Sequence, residues 1–338
     1  MKFATILNSE SEERLCLLEG ENHYDLQKHA NHASIELPNN MNDFLYLEEK
    51  GMELASKVID KIKNDGSGAE VGIKKILAPV SRPTSCRDAY AFRQHVASAR
   101  RNRGVDMIPE FDEFPIFYFT NHNAVFGEGD VIVEKDHLHK LDFELEWAAV
   151  IGKRGKNVNA ENADSYIAGY TIMNDLSARL LQMEEMKLNL GPAKGKDFAT
   201  TIGPFMITPD ELEQYRSPGA KGLNYNLRMK AYHNGKQVSD GNTGDMTYTF
   251  AEIIERISYG VDIRPGEVIG SGTVGTGCYL ELNGTWKREA GERGETHEPI
   301  WLEDGDKIEL EIDMLGKLSN TIELRNGSGS ILEKKRKV

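Results

Sequence analysis

Acidic and apolar residues alternate with period two along residues 141–150, and the acidic ones are of a type that binds metal. In an extended strand, side chains two residues apart share a face and lie about 7 Å apart, so Asp142, Glu144 and Glu146 would point the same way. Carboxylates aimed at one point repel each other unless a cation or solvent lies between them, and oxygen ligands suit a hard divalent ion. The pattern therefore predicts half of a metal site or, alternatively, a solvated acidic face.

A second group of chemically active residues lies between residues 87 and 103. The segment 88–101 has helical spacing, with Asp88 as the expected N-cap. His95 follows Asp88 by seven residues, which on a helix would place both on one face about 10.5 Å apart. Five arginines surround this histidine, namely Arg87, Arg93, Arg100, Arg101 and Arg103. They predict either recognition of a substrate carboxylate or a solvated basic face.

Other polar residues have ordinary explanations when each is considered alone. Asp175 ends the apolar run 166–173 and comes before an expected helix, so it could simply cap that helix. Lys196 lies in the glycine-rich segment 191–196, where a loop lysine is common. The glycines at 270, 272 and 275 match a dinucleotide-binding fingerprint, but residues 278–282 read as a further strand. Since that fingerprint needs a following helix, we expect only a glycine-rich turn beside a site.

Composition limits the classes of function. The chain has 338 residues and a formal net charge of -13, which argues against nucleic acid or anionic membrane as a general partner. No apolar run approaches the roughly 18 residues that span a bilayer, and the three cysteines are too far apart for a zinc motif. These features predict a cytoplasmic protein with reduced thiols. The basic run 334–337, after a Gly/Ser-rich stretch, is expected to be a solvated tail.

The order of predicted elements suggests two parts. Short apolar runs and one amphipathic stretch, residues 41–62, are followed by a glycine-rich break at 64–68 and by Pro79 and Pro83. We therefore expect a small N-terminal β-rich domain over residues 1–78 and a catalytic domain over residues 79–338. Many short strands, frequent glycine turns and few long helices indicate a β-rich α+β fold.

Five spaced motifs occur together, in an order that resembles the fumarylacetoacetate hydrolase family and, within it, the fumarylacetoacetase branch. They are DAYAFRQH at 88–95, ELE at 144–146, NDLSAR at 174–179 with Gln182, GKDFATT at 195–201, and SGT at 271–273. The resemblance covers about residues 75–315. It implies a mixed β-roll or sandwich catalytic domain of the fumarylacetoacetate hydrolase type, assembled as a homodimer.

The resemblance also implies roles for individual residues. A divalent metal, Mg²⁺ or Ca²⁺ with Mn²⁺ as a further option, would be bound by Asp88, Glu144, Glu146 and Asp175, supported by Lys196 and Thr200. The expected catalytic residues are His95, its orienting partner Glu281, Lys196 and Gln182. The expected substrate contacts are Tyr90, Arg101, Arg179, Gln182 and Thr273. The family arginine nine residues after the histidine is replaced by Gly104, so Arg100, Arg101 or Arg103 would take its place.

The implied activity is hydrolysis of a C–C bond in a 2,4-dioxo acid, with 4-fumarylacetoacetate giving fumarate and acetoacetate in tyrosine degradation as the leading case. Alternatives are an acylpyruvate or fumarylpyruvate hydrolase, a 2-oxo acid hydratase or decarboxylase, and a catalytically inactive homologue that binds metal or acid. Hydratase and decarboxylase relatives carry a glutamate three residues after the histidine, where this chain has Ser98, which favours the hydrolase. The chain has no GxSxG motif, and this chemistry needs no serine nucleophile.

Overall fold

The computed structural model describes residues 1–65, 71–217, 221–327 and 329–336. The glycine-rich break predicted at 64–68 lies mostly outside these residues, as does Lys337 of the basic C-terminal run. Within them the fold is mixed and strand-rich, which confirms the β-rich α+β class.

Short strands and mostly short helices make up the fold of the described residues. The α-helices are α1 (Leu26–His32), α2 (Met41–Leu45), α3 (Glu48–Asp65), α4 (Arg93–Arg101), α5 (Ala160–Ala163), α6 (Arg179–Met186), α7 (Phe250–Ser258) and α8 (Tyr279–Glu292). Short 3-10 helices lie at Pro109–Asp112, Asp164–Tyr166, Pro209–Tyr215 and Thr243–Asp245. The strands are β1 (Lys2–Asn8), β2 (Glu13–Glu19), β3 (Asn22–Asp25), β4 (Ile73–Ile76), β5 (Cys86–Ala89), β6 (Phe117–Thr120), β7 (Val125–Phe126), β8 (Gly129–Val133), β9 (Leu141–Asp142), β10 (Leu145–Ile151), β11 (Gly155–Lys156), β12 (Ile167–Asp175), β13 (Ser177–Ala178), β14 (Thr200–Ile207), β15 (Arg228–His233), β16 (Lys236–Asn242), β17 (Asp262–Ile263), β18 (Val268–Gly270), β19 (Lys307–Ile312) and β20 (Gly316–Leu324).

Strand β10 lies in the middle of the largest sheet. Among the described residues this sheet has eleven strands, ordered β3-β2-β1-β14-β12-β10-β18-β5-β6, with β4 beside β1 and β7 beside β14. A second sheet has the order β16-β15-β19-β20-β8. Successive residues of β10 face opposite sides, so Trp147 and Ala149 pack into one hydrophobic cluster while Ala148 and Val150 pack into another. Because both faces are covered, Glu146 is buried and the acidic face is not solvated.

The N-terminal residues continue the same sheet. β1 pairs with β2 on one side and with β14 on the other. Phe3 and Leu15 also share a hydrophobic cluster with Ala148 and Val150 of β10. A shared sheet does not decide whether two parts of a chain fold independently, so the division at 78/79 stays a prediction.

Three local predictions were wrong, because contacts between distant segments outweigh local spacing. Asp88 lies in β5, which pairs with β18 and β6, and α4 begins only at Arg93. Asp175 is the last residue of β12 and caps no helix, since α6 begins at Arg179 after Ala178. Residues 278–282 form the start of α8 and not a strand.

The segment just before the basic run is bound to the body of the protein, while the described residues of the run, 334–336, are exposed, as predicted. The buried Asp136 carboxylate accepts hydrogen bonds from the Ser330 hydroxyl (3.0 Å) and from the backbone N–H groups of Ile331 (2.7 Å) and Leu332 (3.1 Å). Lys335 donates to Glu184 on α6. The sequence hid this contact because Asp136 lies almost 200 residues away.

The cysteines and the apolarity of the helices can be compared with the sequence. Cys16, Cys86 and Cys278 are all buried free thiols, as expected. No helix of the described residues is both long and apolar enough to cross a membrane.

Candidate active site

Three buried carboxylates meet between strands β5 and β10. Asp88, Glu144 and Glu146 each place one oxygen within 4.8 Å of the others, and their exposed fractions are 3%, 6% and 0%. Strand β18 brings them together, because Gly270 pairs with Asp88 on one side and with Ala148 on the other. A Cβ atom at Gly270 would lie 2.5 Å from Asp88 Oδ1 and 2.9 Å from Glu146 Oε2, so the approach needs glycine.

The electrostatics of this cluster fit a bound cation. The backbone N–H of Gly272 donates to both Asp88 Oδ1 (3.0 Å) and Glu146 Oε2 (3.1 Å), whereas Glu146 Oε1 is buried with no hydrogen-bond partner among the described residues. Burial and the neighbouring Asp175 raise the pKa of Asp88 to about 8. Burial and Asp88 raise the pKa of Glu146 well above its ordinary value. A hard divalent ion would satisfy the open oxygen and offset the mutual repulsion.

Lys196 joins Asp175 to the carboxylate cluster. Its Nζ donates to Glu144 Oε2 at 2.5 Å and to Asp175 Oδ2 at 2.7 Å, so Asp175 reaches the three carboxylates through this lysine. Thr200 Oγ1 donates to Asp175 Oδ1 at 3.4 Å, and the hydroxyl of Tyr118 donates to Asp175 Oδ2. Burial alone would raise the pKa of Glu144, but the charges of Lys196 and Arg179 lower it to about 2.

Arg179 is buried in the same network. Its Nε donates to Asp142 Oδ2 at 2.8 Å, its Nη2 to Glu144 Oε1 at 2.7 Å, and its Nη1 to Gln182 Oε1 at 2.9 Å. The last contact fixes the amide of Gln182 so that its NH₂ group faces away from the arginine. Arg179 was predicted to contact substrate, and in this structure its guanidinium orients Glu144 and Gln182.

The histidine and glutamate predicted to act together are in contact. His95 Nδ1 and Glu281 Oε2 lie 2.6 Å apart, and both side chains are buried. Glu281 Oε2 also accepts from the backbone N–H of Thr276 at 3.1 Å. The ring of Tyr90 packs edge-on against His95 at 5.9 Å between centroids. Burial and Glu144 raise the pKa of Tyr90 to about 12, and the nearby charge of Arg103 partly opposes this.

The remaining predicted substrate contacts lie at different depths. Thr273 is buried in the segment between β18 and α8. Arg101 is exposed and its Nη2 donates to Ser98 Oγ at 3.3 Å, while Arg103 is exposed and its Nε donates to the carbonyl of Ala99 at 3.1 Å. Arg100 donates to the carbonyl of Asp106. The charge of Arg103 acts on Tyr90, which lies against His95, and which of the three arginines meets a substrate carboxylate stays a prediction.

A loop held by Glu185 carries Lys196 to the site. The Glu185 carboxylate accepts the backbone N–H groups of Ala193 (2.8 Å), Lys194 (2.6 Å) and Gly195 (3.1 Å). The same loop passes so close to α6 that a Cβ at Gly195 would lie 2.5 Å from the backbone nitrogen of Gln182. Sequence reasoning did not identify Glu185 or Tyr118, although Glu185 lies only six positions before the glycine-rich segment 191–196.

The dinucleotide fingerprint is rejected for a different reason than expected. A helix, α8, does follow the glycines, contrary to the prediction. Its first N–H groups are already bonded, because Tyr279 donates to Asp142 Oδ1 at 2.7 Å and Leu280 to Asp142 Oδ2 at 2.9 Å. Gly272 likewise donates to the carboxylate cluster. A pyrophosphate would compete with buried carboxylates for these donors.

Comparison with known proteins decides the family. Residues 84–323 match the family described as "Fumarylacetoacetate (FAA) hydrolase C-terminal". The chain belongs to this family. The fumarylacetoacetate hydrolase domain-containing protein 2 homolog of Dictyostelium discoideum is 30% identical over 299 residues, which cover 86% of this chain and 87% of that protein.

Two further relatives are named for a tautomerase activity and not for a hydrolase activity. Oxaloacetate tautomerase YisK of Bacillus subtilis is 28% identical over 73% of each chain. The human mitochondrial oxaloacetate tautomerase FAHD2A is 27% identical over 85% of this chain and 80% of its own. The family assignment therefore leaves the reaction open among enzymes of this type.

Solved structures confirm the fold. A fumarylacetoacetate hydrolase from Exiguobacterium antarcticum superposes with a TM-score of 0.68 at 22% identity, covering 96% of this chain and all of that one. A maleylpyruvate hydrolase from Sphingobium superposes with a TM-score of 0.66 at 18% identity, with the same coverage. The predicted fumarylacetoacetate hydrolase type of fold is thus confirmed, while the roles of individual residues stay predictions.

Proposed function

We propose that this protein hydrolyses a C–C bond in a 2,4-dioxo acid with the help of a divalent metal ion, and that 4-fumarylacetoacetate is the leading substrate. The observation that carries the proposal is the buried His95–Glu281 pair beside a cluster of carboxylates suited to a cation. Such a combination can activate water next to a polarised carbonyl.

The metal would be held by Asp88, Glu144 and Glu146, with Asp175 acting through Lys196. When bound, Mg²⁺ or Ca²⁺ would supply Lewis-acid polarisation of the carbonyl under attack and of the leaving enolate. The three carboxylates are buried, so these residues would also exclude bulk water from the reacting bond.

His95 would remove the proton from the attacking water. Glu281 binds Nδ1, so the N–H of the neutral ring lies on that nitrogen and Nε2 keeps a lone pair for the proton of water. The carboxylate then stabilises the imidazolium that forms. The ammonium of Lys196, which donates to Glu144, and the NH₂ group of Gln182, which Arg179 leaves free, would stabilise the negative charge that develops at the tetrahedral carbon.

A substrate panel tests the proposal. Purified protein with Mg²⁺ is offered 4-fumarylacetoacetate, fumarylpyruvate, other acylpyruvates and oxaloacetate, and kcat/KM is compared by absorbance of the enol. In ¹⁸O water, hydrolysis places the label in the carboxylate of the released acid. A label in the hydroxyl of an uncleaved product would identify a hydratase, and loss of CO₂ a decarboxylase. Absence of turnover on every compound would favour an inactive homologue.

A second candidate is tautomerisation of oxaloacetate between its enol and keto forms. It is favoured by the names of the Bacillus subtilis and human relatives. The same residues suit it, because a metal-polarised 2-oxo acid needs only a base to move a proton at the neighbouring carbon. Decay of enol absorbance without any new acid, and without ¹⁸O incorporation, would select the tautomerase over the hydrolase.

We also propose a homodimer in the cytoplasm, with small dioxo acids as ligands. The family resemblance supports the dimer. The cytoplasmic location is a separate proposal, and the human relative is named mitochondrial. Light scattering after size exclusion measures the mass of the assembly, and a mass near 38 kDa would contradict the dimer.

A further inference from the structure

One buried carboxylate lies between the two halves of the active site and belongs to neither. Asp142 is fully buried at the end of β9, and the chain leaves the strand at residues 143 and 144 before β10 begins. Asp142 is not one of the three carboxylates that meet at the candidate metal position. Together, its two oxygens accept hydrogen bonds from two helices, α8 and α6.

On one side Asp142 caps the helix that carries Glu281. Helix α8 starts at Tyr279 with no side-chain hydrogen bond from its own N-cap residue. Asp142 supplies that cap from a distant segment, since Oδ1 accepts the N–H of Tyr279 (2.7 Å) and Oδ2 the N–H of Leu280 (2.9 Å). A carboxylate here also interacts favourably with the helix dipole. Glu281 is in the first turn of this helix, so the cap fixes the residue that holds His95.

On the other side Asp142 binds the arginine that holds the metal-binding carboxylate. Arg179 Nη2 lies 2.7 Å from both Asp142 Oδ2 and Glu144 Oε1. Both members of the Asp142–Arg179 pair are almost fully buried, so the pair has one defined geometry and little competition from water. A continuous chain of contacts thus runs from Glu144 through Arg179 and Asp142 to α8.

We propose that Asp142 is a positioning residue that aligns the His95–Glu281 pair with the metal-binding carboxylates. The inference rests on the function proposed above, because it assigns Asp142 to the same site. It also makes a geometric claim that needs no substrate: removing the charge of Asp142 displaces Glu281 relative to His95.

The sharpest perturbation is Asp142→Asn, which keeps the shape of the side chain. The amide has one acceptor oxygen in place of two, and its NH₂ group would face N–H donors on α8 or on Arg179. One of these donors therefore loses its partner and the start of α8 shifts. Since a misplacement of about 1 Å can cost on the order of 10²-fold, we expect kcat to fall about 10- to 100-fold with a smaller change in KM.

Asp25→Asn is the matched control. Asp25 is also buried and also caps a helix, accepting the N–H of Lys28 at 2.9 Å, but α1 takes no part in the site. Both variants should lower the thermal midpoint, and Asp25→Asn should leave kcat unchanged. In the Glu281→Gln background the loss caused by Asp142→Asn should largely disappear, because the partner that it positions is already impaired.

A proton NMR experiment tests the geometry without any substrate. The proton in the short contact between His95 Nδ1 and Glu281 should resonate far downfield in the wild-type protein and in Asp25→Asn, and should be lost or moved in Asp142→Asn. If no dioxo acid is turned over, the proposed function fails while this resonance still decides the role of Asp142. A resonance and a kcat unchanged in Asp142→Asn, with only stability lowered, would overturn the proposal.

Arg179→Lys keeps the proposal testable if Asp142→Asn does not fold. Lysine preserves the charge but cannot bind Asp142 and Glu144 with a planar fork. Because Arg179 is linked to the His95–Glu281 pair along the chain of contacts through Asp142, a moved histidine resonance in Arg179→Lys supports the coupling. An unchanged resonance contradicts it.

Discussion

Replacing Glu281 by glutamine isolates the contribution of the carboxylate to catalysis. The side chain keeps its size and one acceptor oxygen, but it loses the negative charge that stabilises protonated His95. Exposed fractions of 6% for His95 and 3% for Glu281 mean that solvent hardly screens the pair. A hydrogen bond to a charged group contributes about 1.5–3 kcal/mol. At about 1.4 kcal/mol for each factor of ten, kcat should fall about 12- to 140-fold.

The assay is steady-state hydrolysis of the substrate selected by the panel, with saturating Mg²⁺ and with metal content measured. His95→Ala should cost about 10²–10⁴ in kcat, and the double variant should be no slower than His95→Ala because the two residues act as a unit. Glu289→Gln, on the exposed side of the same helix, is the control and should retain wild-type kcat. Multiplicative losses in the double variant would show that the glutamate acts independently of His95 and would refute the reasoning.

Metal binding, charge recognition and pH offer further tests. Exhaustive chelation should abolish activity, and Mg²⁺, Mn²⁺ or Ca²⁺ should restore it. Glu146→Gln should weaken metal binding in calorimetry while the protein stays folded. Turnover by metal-free protein would contradict the metal dependence. Replacing Arg103 by alanine should lower kcat/KM by a factor equivalent to roughly 1.5–3 kcal/mol of transition-state free energy, more than the same change at Arg100 or Arg101. Wild-type kinetics in all three single variants and in the triple variant would exclude a carboxylate contact. Burial alone would raise the pKa of Asp136, yet hydrogen bonds from the C-terminal segment hold that pKa below its ordinary value. The attachment is therefore fully present above the ordinary pKa of an aspartate and is lost as the pH falls through the lowered pKa. The exchange rates of amides in that segment, relative to those of an unstructured chain at the same pH, should then rise, and a constant ratio through this range would contradict the assignment.

Much of the candidate site could be predicted because its residues come in short motifs. The acidic alternation correctly indicated that Glu144 and Glu146 lie together, and the family motifs joined His95 to Glu281 across 186 positions. Asp142 belongs to the same alternation but is not one of the three clustered carboxylates, because β9 ends at Asp142 and β10 begins only at Leu145. No local signal marks that interruption, which depends on what Arg179 and α8 offer as partners.

The fold was predictable at the level of class but less so in its details. A short apolar segment such as 278–282 fits a strand or a buried helix equally well by periodicity. The helix that starts there is capped by Asp142 of β9, a contact that the local sequence does not reveal. In the same way, the apparent cap Asp88 became part of a strand because two distant neighbours pair with it.

The parallel pairing of β5 with β18 has a consequence for how the chain acquires its shape. Cys86 is aligned with Val268, so the strand that bears Asp88 finds this neighbour only after some 180 further residues have been synthesised. Contacts between such distant segments are slow to form, since a long loop must close first. On the ribosome, the acidic groups of β5 and β10 would remain apart until β18, which lies between these two strands in the sheet, has emerged. The cation-binding centre is therefore expected to mature late, after the local hairpins have formed.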